Sequence, residues 1–107
     1  MVFIESPWFD AWRNAHLDDK EFHALQAALL GDPFAGDLIR GSGGLRKIRM
    51  AMAGRGKRGG ARVIYYYVVD DDRLYLLYAF AKSERADLTR DQLRRLALAM
   101  HKEFDNG

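Results

Sequence analysis

The sequence predicts an α+β domain of order β-α-α-β-β-β-α, with two N-terminal helices, a mainly antiparallel sheet and a C-terminal helix. Three observations carry this. Between Ser6 and Gly31 the large apolar residues recur at helical spacing. Between Leu45 and Phe80 they fall in runs rich in β-branched and aromatic residues, and after Thr89 the helical spacing returns. Strands and helices thus occupy separate stretches, unlike the alternation of a parallel α/β fold.

Taking the elements in order, Val2-Phe3-Ile4 reads as a short strand. Ser6-Pro7 then supplies an N-cap and a proline at the first helical position, where its missing N–H costs nothing. Trp8, Phe9 and Trp12 fall on one side of the helix that follows. Asp18 and Glu21 have capping-box spacing and open a second helix, with Phe22, Leu25 and Leu29 as its apolar stripe and Gly31 as its stop. Asp32-Pro33, Gly36 and Gly41-Ser42-Gly43-Gly44 mark loop.

Leu45 to Met50 is strand-like, and alternation puts Leu45, Lys47 and Arg49 on one face with Arg46, Ile48 and Met50 on the other. Gly54 to Gly60 reads as a cationic hairpin tip. Ala61 to Val69 has the β-branched and aromatic density of a central strand covered on much of both faces. Asp70-Asp71-Asp72 leaves room for a hairpin but no crossover helix, so Leu74 to Phe80 should pair antiparallel with it. Thr89 and Gln92 repeat the capping-box pattern and start a last helix with Leu93, Leu96, Ala97, Met100 and Phe104 on one face.

A chain of 107 residues with no repeat or linker is expected to form one domain over residues 1–107. The absence of cysteine excludes a disulfide framework, a thiolate zinc site, an iron–sulfur cluster and a cysteine nucleophile. The N-terminus lacks a basic leader, and no apolar run approaches the roughly 18 residues of a membrane span. A soluble cytoplasmic protein that contacts no membrane is expected.

Charge is unevenly placed. Arg40 to Arg62 holds eight of the 17 basic residues (Arg40, Arg46, Lys47, Arg49, Arg55, Lys57, Arg58 and Arg62) and no acid, while the rest of the chain carries all 15 acids. Such a segment points to a polyanion site. The common catalytic patterns are missing: no serine elbow, no P-loop lysine and no His-Glu-x-x-His. The glycines around Lys57 lie between two strands, without the helix N-terminus that phosphate cradling requires. His16, His23 and His101 have no partner at ligand spacing, so no metal site is expected.

What remains is cationic. Lys47, Arg49 and Arg62 lie on adjacent antiparallel strands, Lys57 and Arg58 at the tip between them, and Lys82 where the last strand ends. If the first three face the same side, they form a positive floor able to hold a phosphodiester, with Lys47 and Arg62 projecting from the sheet rather than into the core. RNA cleavage by its own 2′-hydroxyl needs a base, charge stabilisation on the pentavalent phosphorus and an acid for the leaving oxygen. Clustered Lys and Arg supply the second strongly, and a crowded lysine can serve as the first.

At these residues the chain resembles the RelE/ParE-superfamily toxins, and most closely the RelE-like HigB toxins of type II toxin–antitoxin modules. The likeness rests on Gly43 to Arg49, on Gly56 to Tyr66, and on Leu77 to Thr89, and it spans essentially the whole chain. It implies a RelE-like fold and a metal-independent, cofactor-free endoribonuclease, an mRNA interferase, that binds in the ribosomal A site and cuts mRNA there, arresting translation. Carried over residue by residue, Lys47 and Arg49 match the basic pair of the family's second strand and Arg62 the arginine opening its third. The family's arginine after the fourth strand and its later tyrosine fall on Ser83 and Thr89, a departure from the pattern. Lys82 is the candidate for the missing charge and Tyr66 for the aromatic that stacks on a base.

The candidate catalytic residues are therefore Lys47, as base, with Arg49, Arg62 and Lys82, and the candidate RNA contacts are Arg46, Arg55, Lys57, Arg58, Tyr66 and Arg85. Two other readings stand beside this one: a ParE-like DNA gyrase poison without enzymatic activity, and an RNA-binding module that cleaves nothing. The retained pair Lys47/Arg49 with Arg62 favours the ribonuclease. The resemblance also implies a helix-turn-helix, HigA-like antitoxin, through which alone operator DNA would be contacted. It would inhibit either by covering the basic residues or by blocking the A site from the N-terminal helices, where Trp8, Phe9 and Trp12 offer an apolar surface.

Overall fold

The computed structural model describes residues 1–52, 60–84 and 87–106, with no side chain described at residue 101 or at 103–106. The elements are β1 (Val2–Glu5), α1 (Pro7–His16), α2 (Asp19–Gly31), β2 (Asp37–Leu38), β3 (Arg46–Met52), β4 (Gly60–Val68), β5 (Arg73–Ala81) and α3 (Arg90–Asn106). The α+β class and the element order agree with the sequence reading, with one addition. β2, a two-residue edge strand, lies within the stretch read as loop.

Each helix starts where the sequence chemistry places it. Ser6 Oγ accepts from Phe9 N–H at 3.0 Å, with Pro7 in the first turn. Asp18 and Glu21 close a reciprocal capping box at 2.7 and 3.0 Å, and Thr89 and Gln92 do the same at 2.9 and 3.1 Å. These bonds satisfy backbone donors that a helix start leaves unpaired.

The five strands form one sheet of order β1-β5-β4-β3-β2. β1 runs parallel to β5 and every other pair is antiparallel. β4 and β5 lose register between Ile64 and Tyr65, where Ile64 faces Tyr78 but Tyr65 faces Leu76. Leu77 is the extra residue of this bulge, so Leu77 and Tyr78 both serve one side of the sheet. The displaced Leu77 carbonyl accepts from the Ser6 hydroxyl, which ties the start of α1 to the bulge.

A helical layer covers each face. Phe9 from α1 and Leu25 and Leu29 from α2 pack on Met50, Ala61, Val63, Tyr65, Leu74, Leu76 and Ala79. On the opposite face Leu96 and Met100 of α3, with Leu88, pack on Leu45, Ile64, Leu77 and Phe80. The stripe read from the sequence thus holds through Leu93, Leu96, Ala97 and Met100, while Phe104 lies outside the described side chains. Among the described residues no helix is long and apolar enough to cross a membrane.

Two anchors outside the layers shape the ends. Tyr65 Oη donates to Pro33 O at 2.8 Å and accepts from Gly36 N–H at 2.9 Å, holding the α2–β2 turn against the central strand. A Cβ on Gly36 would come within 2.7 Å of the Tyr65 ring, so this approach requires glycine. At the far end, Asp72 takes a left-handed conformation (φ 51°) and its carboxylate meets the N-terminal ammonium at 3.1 Å.

Candidate active site on the sheet

The pairing of β3 with β4 settles which cations share a face. Lys47 stands opposite Ile64 and Arg49 opposite Arg62, and cross-strand partners project to the same side. Lys47, Arg49 and Arg62 therefore converge on one face of the sheet, the face on which α3 packs. In the next strand Phe80 is the partner of Arg62 and Tyr78 that of Ile64, so apolar rings floor the cluster on its inner side.

The three cations differ in exposure. Arg49, on the outer part of the sheet, is exposed, whereas Lys47 keeps 27% of its side-chain surface. Arg62 is 7% exposed, which corrects the expectation that it projects freely from the sheet. It occupies the central strand, flanked by β3 and β5, and its Nη1 donates to Ala61 O at 3.2 Å. Lys47 also differs from expectation, because Nζ donates to Asp87 Oδ2 at 2.8 Å.

Asp87 carried no role in the sequence reading. It lies in the turn between β5 and α3, where neither strand nor helix periodicity reports direction. Its other oxygen accepts from Leu88 N–H at 2.8 Å. Burial works to raise the Asp87 carboxyl. The hydrogen bonds from Lys47 and Leu88, with the charges of Lys47 and Arg62, overcome this and hold it below the ordinary carboxylate range.

The remaining candidates are dispersed. Lys82 is exposed and follows β5, its N–H donating to Gly60 O at 2.9 Å, so it sits two positions beyond the Phe80–Arg62 pair. Tyr66 shares the face of Arg62 but lies four residues along β4, packed with the α3 cluster and against Gly44. Arg46 is on the opposite face. Its guanidinium donates to Gly36 O at 2.8 Å and Phe34 O at 3.3 Å and lies over the Phe34 ring, which withdraws it from the cluster. Arg55, Lys57, Arg58 and Arg85 lie outside the described residues.

His16 and His23 are exposed on α1 and α2, away from this face. Among the described residues no group of three His, Cys, Asp or Glu side chains is placed to hold a metal ion. A groove of about 820 Å³ runs between α2 and the outer edge of β3, and Lys47 and Arg49 are among its lining residues. Because α2 packs on the other side of the sheet, this groove lies on the face opposite the cationic cluster. An exposed arginine, a half-covered lysine and a buried arginine on an apolar floor can hold successive phosphates and stabilise added negative charge on one of them.

Comparison with known proteins agrees with this architecture. A solved structure of a mutant of the E. coli toxin RelE in the free state aligns with a TM-score of 0.57 at 13% sequence identity, covering 92% of this chain and 95% of that one. That likeness is one of fold. A family model described as the RelE toxin of the RelE/RelB toxin–antitoxin system matches residues 1–105, and with nearly the whole sequence inside the match, this chain belongs to the RelE toxin family.

Proposed function

We propose that this toxin is an mRNA interferase of the HigB kind, cutting messenger RNA in the ribosomal A site without a metal or other cofactor. The observation that carries the reading is the convergence of Lys47, Arg49 and Arg62 on one sheet face. In the reaction the 2′-hydroxyl attacks the adjacent phosphorus, leaving a 2′,3′-cyclic phosphate and a free 5′-hydroxyl. Arg49, Arg62 and Lys82 stabilise the charge that develops on the phosphoryl oxygens. Lys47, once its ammonium has released the proton it holds against Asp87, takes the 2′-hydroxyl proton as the free amine, and water protonates the departing 5′-oxygen. Removing one such donor costs about 10²–10³ in rate in well-studied sites, so three of them supply a substantial share of the barrier reduction.

Such an enzyme acts in the cytoplasm and needs an inhibitor. The proposed partner is a HigA-like helix-turn-helix antitoxin that alone contacts operator DNA. Of the three aromatics expected to form its docking surface, Phe9 is fully buried and Trp12 packs into the core, so only Trp8, 55% exposed, remains for that role. This favours direct masking of the basic face over docking on the N-terminal helices.

Primer extension on a translated reporter mRNA after induction tests the reading. Cuts in register with codons, lost when translation initiation is blocked, are the expected result. Growth arrest with intact mRNA would overturn it, and accompanying DNA damage would indicate a gyrase poison instead.

A further inference from the structure

We infer that Asp87 is a positioning residue for the proposed cleavage: it fixes the Lys47 ammonium at the site and, as a resident anion, lowers the site's ground-state affinity for phosphate. The inference rests on the ribonuclease reading. Its basis is a chain of contacts leading from the hydrophobic core to the cationic face. Leu88 is 8% exposed within the α3 cluster, its N–H holds Asp87 Oδ1 at 2.8 Å, and Asp87 Oδ2 holds Lys47 Nζ at 2.8 Å.

A lysine ammonium sits on a four-carbon stem with many rotamers, and a catalytic group gains most when its geometry is set beforehand. A carboxylate anchored at one oxygen and accepting from the ammonium at its other sets it. Asp37, the cross-strand partner of Lys47, is the other carboxylate near by register, but it lies on the exposed edge strand and the hydrogen bond goes to Asp87. The same negative charge sits against Lys47 and close enough to Arg62 to interact with it, where the proposed site takes an incoming phosphodiester. Asp87 therefore acts in opposite directions on binding and on reaction.

The test is Asp87→Asn, which keeps an oxygen to accept from Leu88 N–H while removing the charge. Affinity is measured for a single-stranded RNA carrying 2′-O-methyl groups throughout, which cannot be cleaved, and single-turnover cleavage is measured on programmed ribosomes. The expected result is binding tightened about two- to fivefold, the scale of one partly exposed ion pair, with cleavage slowed about tenfold or more. In a Lys47→Ala background Asp87→Asn should bring no further loss of cleavage, because Asp87 acts through Lys47. Weaker or unchanged binding, cleavage at the unsubstituted rate, or an equal further loss in the Lys47→Ala background would each overturn the inference. Absence of cleavage by the unsubstituted chain is read before any variant is compared, and overturns the ribonuclease reading and this inference together.

Discussion

Arg49 and Arg62 stand directly opposite each other across β3 and β4, two like charges at a position where cross-strand partners are in contact. Such pairing is unfavourable by roughly 0.2–1 kcal/mol. The proposed action on a polyanion accounts for such a pairing. Arg49→Gln should therefore raise the thermal unfolding midpoint slightly while abolishing growth arrest. A lower midpoint would show that Arg49 is a structural residue, and full toxicity would remove it from the proposed site.

Lys47 and Arg62 call for different substitutions because their burial differs. Lys47→Ala removes an ion pair whose carboxylate is 55% exposed, a loss of no more than about 1 kcal/mol, so the variant should fold and be non-toxic. Arg62→Ala leaves a void in the central strand and should cost more than about 2 kcal/mol. Loss of toxicity in that variant reports on stability as well as chemistry. Arg62→Lys keeps the charge and much of the volume, and it should stay folded yet lose most cleavage, because an ammonium does not reproduce the guanidinium's planar fork. Circular dichroism melts read alongside growth assays decide both.

The parts of the fold that were legible from sequence are those governed by local rules. Ser6-Pro7, the Asp18/Glu21 and Thr89/Gln92 capping boxes, and the alternation along Leu45 to Met50 each depend on residues within one turn or one strand. The elements follow from them. What was not legible depends on strand order and on turns. Arg62 is buried because β4 lies between β3 and β5. The composition of Ala61 to Val69 reads as a central strand, but the covering of Arg62 just inside its start depends on the neighbouring strands and not on that composition. Trp8 faces outward while Phe9 and Trp12 face the sheet, a division set by where α1 meets β5 rather than by helical spacing alone. Asp87 reaches Lys47 across 40 residues of sequence, and acids in turns carry no periodic signal.

The Tyr65 hydroxyl offers a test of the α2–β2 turn that leaves the cationic face untouched. It is buried, and its pKa is raised chiefly by that burial. Tyr65→Phe removes the acceptor for the buried Gly36 N–H and the donor to Pro33 O. Leaving such groups unpaired costs about 1–3 kcal/mol, to be read from chemical denaturation with an unchanged m-value. A Gly36→Ala variant should be destabilised too, since the added methyl would overlap the Tyr65 ring. Wild-type stability in Tyr65→Phe would mean that this turn is held by other contacts.

The last prediction concerns the opposite end of the sheet, where Asp72 joins the β4–β5 turn to the N-terminus. The Tyr67 hydroxyl donates to Asp72 Oδ1 at 2.8 Å, and the N-terminal ammonium lies 3.1 Å from Oδ2. The hydrogen bond from Tyr67 is the main cause that holds this carboxyl below its ordinary range, with the N-terminal ammonium second. A carboxylate depressed in the folded state contributes stability that is fully present above its unfolded pKa, about 4, and is lost as pH falls through the folded value. Asp72→Asn is the informative change, because asparagine tolerates the left-handed backbone at this position and so isolates the charge from the turn geometry. The unfolding midpoint of the variant should lie below that of the unsubstituted chain at pH 6, and the gap should close as pH is taken below about 4. A gap that persists unchanged to low pH would assign the effect to the turn itself rather than to the carboxylate.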